Sequence, residues 1–171
     1  MRIMLYHGST LPIEHPLAQV GREDLDFGKG FYLTVLRTQA ERWAKRVQLI
    51  RASDSAWVNI YEFDMDVAVK EGYRVLCLKS YDSRWLDFIV VSRSGQQPWK
   101  DYDMIEGGVA DDQVIDTVED YINGNITVEQ ALGQLAYAKP NHQICLLSQE
   151  LIDNHLYYVN CFRLDNKERR L

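Results

Sequence analysis

Two short segments of this sequence combine residue types that can do chemistry. His7-Gly8-Ser9 sets an imidazole, a bare backbone unit and a hydroxyl side by side. An imidazole can donate or accept at neutral pH, and a glycine leaves its N–H and C=O open to an amide-bearing ligand. Phe27-Gly28-Lys29-Gly30-Phe31-Tyr32 places two glycines in a turn that feeds an aromatic strand. Glycine permits both positive φ and close approach of backbone to a ligand. Each segment also has a plainer reading. The first fits a capped turn holding a structural histidine, and the second fits a hairpin turn ahead of a core strand.

Taken in order, the two segments resemble the ADP-ribosyltransferase superfamily, in the branch that includes the poly(ADP-ribose) polymerases. That branch closes its first strand on His-Gly and opens a later strand on F-G-x-G-x-Y. His7-Gly8 matches the first, and Phe27, Gly28, Gly30 and Tyr32 match the second. The polymerase pattern sets its nicotinamide-stacking aromatic eleven residues beyond the motif tyrosine, and Trp43 stands there. The chain is also similar to short bacterial proteins of that superfamily through Tyr6-His7-Gly8-Ser9, the stretch Asp26 to Thr34, and Gln39-Ala40-Glu41-Arg42-Trp43-Ala44.

The resemblance implies NAD as substrate, with no metal. His7 would bond the adenosine ribose, Gly8 backbone groups would read the nicotinamide carboxamide, and Tyr32 and Trp43 would sandwich the ring. Ser9, Phe27, Gly28, Gly30 and Phe31 complete the expected NAD-binding set, and the glycines would keep the loop close to the dinucleotide. His7, Tyr32 and Gln143 are the expected catalytic trio. Two positions depart from the pattern. Ala40 replaces a small hydroxyl residue that holds the carboxamide, leaving Ser9 or Thr34 to supply that contact. Gln143 stands where the superfamily has a glutamate, and an amide has no charge with which to stabilise a cation or activate an acceptor.

Polymer elongation is thereby disfavoured, and the expected activity is mono-ADP-ribosyl transfer to a macromolecule, as in the toxin half of a toxin–antitoxin pair. The alternatives are NAD glycohydrolysis, or a catalytically silent NAD-binding or protein-interaction module. Glu106, Asp111 and Asp112 are further acids near the expected site, although helix capping accounts for the two aspartates.

These residues need elements to position them. Ile3 to Tyr6 reads as a buried strand, and the stretch through Asp26, with Pro12, Pro16 and Gly21, as a long loop. Phe31 to Val35 reads as a strand. Thr38-Gln39-Ala40-Glu41 has the form of a capping box that opens a helix with Ala40, Trp43, Ala44 and Val47 at helical spacing. Trp57 to Phe63 alternates as a strand whose core-facing side the period leaves open. Asp82 to Ser92 is an expected helix with Trp85, Phe88 and Ile89 inward, and Tyr102 to Glu106 a short strand.

Asp111 or Asp112 can cap a helix bearing Val114, Ile115, Val118, Tyr121 and Ile122, stopped by Gly124. Thr127-Val128-Glu129-Gln130 is a second capping box, with its helix running to about Tyr137. His142 to Leu147 is an expected strand, Ser148 caps a short helix, and Leu156 to Leu164 is a last strand. Strands and helices mix without strict βαβ alternation, so the fold class is α+β with mainly antiparallel sheets. The resemblance implies split sheets with flanking helices. The expected division is a single domain over 1–165 and a charged tail over 166–171.

Composition bounds the rest. A chain of 171 residues has the size of one domain, and 46% hydrophobic residues mark it as globular. A net charge of -6 argues against a general basic surface, so a protein acceptor is expected before nucleic acid. Arg37, Arg42, Lys45, Arg46 and Arg51 form a local basic cluster, for which a solvated helix face is the simple explanation. Cys77, Cys145 and Cys161 have no metal-binding spacing and sit in apolar stretches, so buried reduced thiols and a cytoplasmic location are expected. No run approaches the roughly 20 apolar residues of a membrane span. The N-terminal apolar run is shorter than a signal-peptide core.

Overall fold

The computed structural model describes residues 1–21, 25–112 and 114–165. The expected charged tail lies outside them. In chain order the elements are β1 (Arg2–Ser9), β2 (Phe31–Leu33), α1 (Arg37–Ile50), β3 (Ala56–Asp64), α2 (Met65–Lys70) and β4 (Val75–Leu78). There follow α3 (Ser83–Arg93), β5 (Met104–Gly107), α4 (Ile115–Ile122), α5 (Val128–Leu135), β6 (Gln143–Leu146), α6 (Gln149–His155) and β7 (Leu156–Leu164). Short 3-10 turns occur at Ala18–Val20 and Pro98–Asp101.

The strands form two sheets, ordered β1-β3-β7 and β2-β6-β5-β4. All pairings are antiparallel except β4 with β5. The class is α+β. An antiparallel bridge between Tyr6 and Thr34, whose two backbone hydrogen bonds measure 2.8 and 3.0 Å, links the backbones of the two sheets.

The second sheet is a middle layer. On one side Phe31, Leu33, Ile144, Leu146 and Met104 pack with Leu5, Tyr61 and Phe63 of the first sheet and with Leu151 and Ile152 of α6. On the other, Leu76, Leu78, Ile105 and Cys145 pack with Trp85, Leu86 and Ile89 of α3, and with Val118 and Leu135 of the next two helices. Strands covered on both faces carry continuous apolar runs without alternation. Val75-Leu76-Cys77-Leu78 is apolar throughout although only Leu76 and Leu78 are buried, so its sequence gives no periodic signal of its own. In the Trp57 to Phe63 strand Asn59, Tyr61 and Phe63 are fully buried on one face and Val58 on the other, so both faces are covered in part.

Several helix starts follow the expected chemistry. The Asp82 carboxylate accepts from Trp85 N–H at 3.0 Å, Thr127 and Gln130 close a reciprocal capping box, and Ser148 accepts from Leu151 N–H at 3.2 Å. Two do not. No box forms at Thr38, because the helix begins at Arg37, Glu41 pairs with Arg37 at 2.8 Å, and Leu36 N–H donates to Thr34 at 3.0 Å. At α4 the N-cap residue is Val114, without a side-chain cap; the Asp111 carbonyl accepts from Val114 and Ile115 N–H at 3.1 and 2.9 Å and its carboxylate from Asn141 at 3.0 Å, while Asp112 pairs with Arg46 at 3.4 Å. Of the three expected buried thiols Cys145 is buried, Cys161 is half-buried and Cys77 is exposed.

Candidate functional site

His7 does not leave a strand end, as expected, but sits inside β1, two residues before its close. Its ring packs on Phe31 with centroids 4.3 Å apart, and its Nδ1 lies 2.6 Å from the Tyr32 carbonyl oxygen. Burial pushes the imidazole down to about 4, helped by the Arg51 charge and opposed by the Tyr32 hydrogen bond. The ring is therefore neutral at pH 7. Because a carbonyl can only accept, Nδ1 carries the proton and Nε2 keeps the lone pair.

Gly8 is where α1 crosses β1. A Cβ there would lie 2.2 Å from the Ala40 carbonyl oxygen and 2.7 Å from the Ala44 nitrogen, so the helix backbone occupies the space of a side chain. Ala40 and Ala44 are accordingly buried, while Trp43, between them on the helix, is 48% exposed. Trp43 belongs to neither core cluster. The Arg46 guanidinium stands 6.0 Å from its ring centre. Ser9 is committed elsewhere: it is buried, receives the Asn59 amide at 3.0 Å and donates to Leu11 O, which helps to hold the loop beyond β1.

The glycine turn is bound into the protein rather than left open. Gly28 has φ +85°, and a Cβ on it would lie 2.0 Å from Trp99 Cδ2; one on Gly30 would lie 2.4 Å from the Cys145 sulfur. Packing alone demands both glycines. The Tyr32 hydroxyl donates to the Gly28 carbonyl at 2.7 Å and accepts from Phe27 N–H at 3.2 Å, so it closes the turn that precedes it. Burial raises this phenol well above its ordinary value. Phe27 and Phe31 are core residues on opposite sides of the second sheet.

Gln143 opens β6 opposite Gly107. Two residues on, Cys145 pairs with Tyr32. Side chains two apart share a face, so Gln143 is the diagonal neighbour of Tyr32, about 7–8 Å away between Cα atoms. The Tyr6–Thr34 bridge and the first turn of α1 adjoin this end, where the Gln39 amide donates to His142 O at 2.9 Å. Tyr32, Gln143 and the Gly8 backbone thus lie near this end, and Trp43 is carried by the helix that covers Gly8. Ser9 and the His7 ring lie on the other face of β1, which alternates side chains between faces.

Sequence reasoning named Glu106 only as a further acid to test and gave no role to Asp26 or Asn141. Glu106 is 8% exposed, and its Oε1 lies 3.0 Å from His142 Nε2 and 3.7 Å from Lys79 Nζ. The His142 hydrogen bond, with the Lys79 charge, holds its carboxyl below the usual range against burial. Asp26, buried, meets Arg93 at 2.8 Å and Ala110 N–H at 2.6 Å, which ties the glycine turn to α3 and to the loop after β5; burial raises its carboxyl despite Arg93. Asn141 binds Val109 N–H at 2.8 Å. A carboxylate just before a glycine-rich turn was the available signal for Asp26. A polar cleft of about 390 Å³, bordered by Lys29, Trp99, Lys100 and Ser148, lies at the opposite end of the second sheet from Gln143.

Residues 3–158 match the model of a family described as "Protein of unknown function (DUF3990)". The chain belongs to the DUF3990 family. No curated protein and no solved structure matches it. Within this DUF3990 chain, the segment matched begins at the first residues of β1 and runs into β7, so it spans the whole region around Gly8, Tyr32, Trp43 and Gln143. Among the described residues no three His, Cys, Asp or Glu side chains are grouped to hold a metal ion, and no helix is long and apolar enough to cross a membrane.

Proposed function

We propose that this protein is an NAD-dependent mono-ADP-ribosyltransferase acting on a macromolecule. The observation that carries the reading is the diagonal placement of Gln143 and Tyr32 on one face of the second sheet, beside a glycine backbone under α1 and a half-exposed tryptophan on that helix. The residues fit a dinucleotide in chemical type. Trp43 offers a ring face for nicotinamide, and the Gly8 strand unit brings backbone within reach of a carboxamide. The neutral His7 ring keeps an acceptor nitrogen, but it packs on Phe31 on the other face of β1 and so stands outside this group.

In the reaction the bond from nicotinamide nitrogen to ribose carbon breaks, its electron pair leaves with nicotinamide, and a nucleophile on the acceptor bonds to that carbon and gives up a proton. Gln143 can hold a ribose hydroxyl through its amide but cannot take that proton. This supports one transfer per acceptor rather than chain growth. Incubation of labelled NAD with the protein and a cell lysate tests the reading: label on a macromolecule is expected, and NAD left intact with no label transferred overturns it.

A second reading draws on the hydroxyl of Tyr32 and the Nδ1 of His7, both engaged within the protein. Together with an amide at position 143, they favour a module that binds NAD or a protein without turnover. Calorimetry with NAD alone, run beside the transfer assay, separates the two.

A further inference from the structure

The outer face of α1 runs against the net charge of this molecule. Arg37, Arg42, Lys45, Arg46 and the terminal Arg51 face one carboxylate on the same helix, Glu41, in a chain of net charge -6. Arg37 pairs with Glu41 and Arg46 with Asp112, whereas among the described residues Arg42 and Lys45 make no ion pair. Beside them Leu49 is 81% and Ile50 71% exposed. The helical repeat sets Arg42, Lys45 and Leu49 on one face and Trp43, Arg46 and Ile50 on the adjoining one, both away from the Ala40–Ala44 side that rests on Gly8. Leu49 and Ile50 are consecutive, so they form one apolar spot beside two cations that make no ion pair.

We propose that this face of α1 docks an acidic, amphipathic segment of a partner protein, its carboxylates meeting Arg42 and Lys45 and its apolar side chains covering Leu49 and Ile50. The charge is complementary, and the apolar pair decides the class of partner. A nucleic acid would satisfy the cations but set phosphate and sugar against Leu49 and Ile50, and such interfaces are polar. It would also find one aromatic for base stacking, and a polyanion is repelled by the acidic remainder of the chain. A second copy would have to bring an acidic face against this basic one, a head-to-tail contact that does not close at two copies. The docking holds whether or not the neighbouring region turns over NAD.

The probe is a synthetic helical peptide with Glu on one face and Leu at three- and four-residue spacing, titrated at low salt into the isotope-labelled chain. The same peptide with Lys for Glu, and oligothymidylate, serve as comparisons. Amide shifts centred on residues 37–51 are expected, with affinity falling about tenfold or more on raising the salt. Arg42→Glu with Lys45→Glu, and separately Leu49→Ser with Ile50→Ser, are each expected to weaken binding about tenfold. All four positions are exposed, and the shift map of the parent chain stands without any variant. Shifts centred elsewhere, affinity unmoved by either pair of substitutions, tighter binding of oligothymidylate at α1, or self-association abolished by the same substitutions would each overturn the proposal.

Discussion

The Nδ1 of His7 donates to the carbonyl oxygen of Tyr32 across 2.6 Å, and the half-buried ring has its pKa lowered to about 4. An unfolded histidine titrates near 6.5. Between pH 6.5 and 4 the unfolded chain therefore takes up a proton that the folded chain refuses, and stability falls on acidification across that window by up to about 3 kcal/mol. Urea denaturation of the parent and of His7→Gln at pH 7 and pH 4.5 checks this. The parent is expected to lose more stability than the variant, and equal losses would place the pH dependence elsewhere.

Gly8→Ala is expected to destabilise by about 3 kcal/mol, because its Cβ meets helix backbone at 2.2 and 2.7 Å and no rotamer can relieve that. The clash moves α1 bodily, so Trp43 moves with it. Chemical denaturation reads the first effect and tryptophan emission the second. A variant as stable as the parent would mean that α1 does not rest on Gly8.

Trp43→Ala removes a ring that is half outside and absent from both core clusters, so the fold is expected to survive it with little loss. NAD affinity is expected to fall by about 1–3 kcal/mol, the scale of a lost aromatic stack with its buried area. Calorimetry at equal protein concentration measures both proteins. Unchanged affinity in a folded variant removes Trp43 from the proposed site.

Gln143→Ala is expected to slow nicotinamide release by about 10- to 1000-fold, as loss of one transition-state contact does. Gln143→Glu puts a negative charge beside the developing cation and is expected to speed NAD hydrolysis. Single-turnover assays with labelled NAD follow both. If the two variants match the parent, Gln143 has no part in the chemistry, and Glu106→Gln becomes the informative substitution.

Much of this protein was legible in its sequence where the signal is local. Asp82, Thr127 with Gln130, and Ser148 start helices because a short side chain can satisfy the first free N–H groups wherever it occurs. The alternation of Trp57 to Phe63 and the long run of Leu156 to Leu164 marked their strands for the same kind of reason. The spacing of His7-Gly8, the Phe27 to Tyr32 turn, Trp43 and Gln143 nominated one group of residues.

What tertiary structure decided is which of these groups are still available. The sequence could place Ser9, Gly28 and Gly30 in a ligand loop, but their partners, Asn59, Trp99 and Cys145, lie 50, 71 and 115 residues away along the chain. Non-local contacts of this kind leave no periodic trace. The same is true of β4, whose apolar run becomes a strand only beside β5, and of Glu106, whose charge is held by His142 and Lys79 from two other segments. Local propensity therefore determined the elements and the candidate residues. Burial and the pairing of distant polar groups determined which of them can meet a ligand, because desolvation and hydrogen-bond satisfaction depend on neighbours that chain order does not reveal.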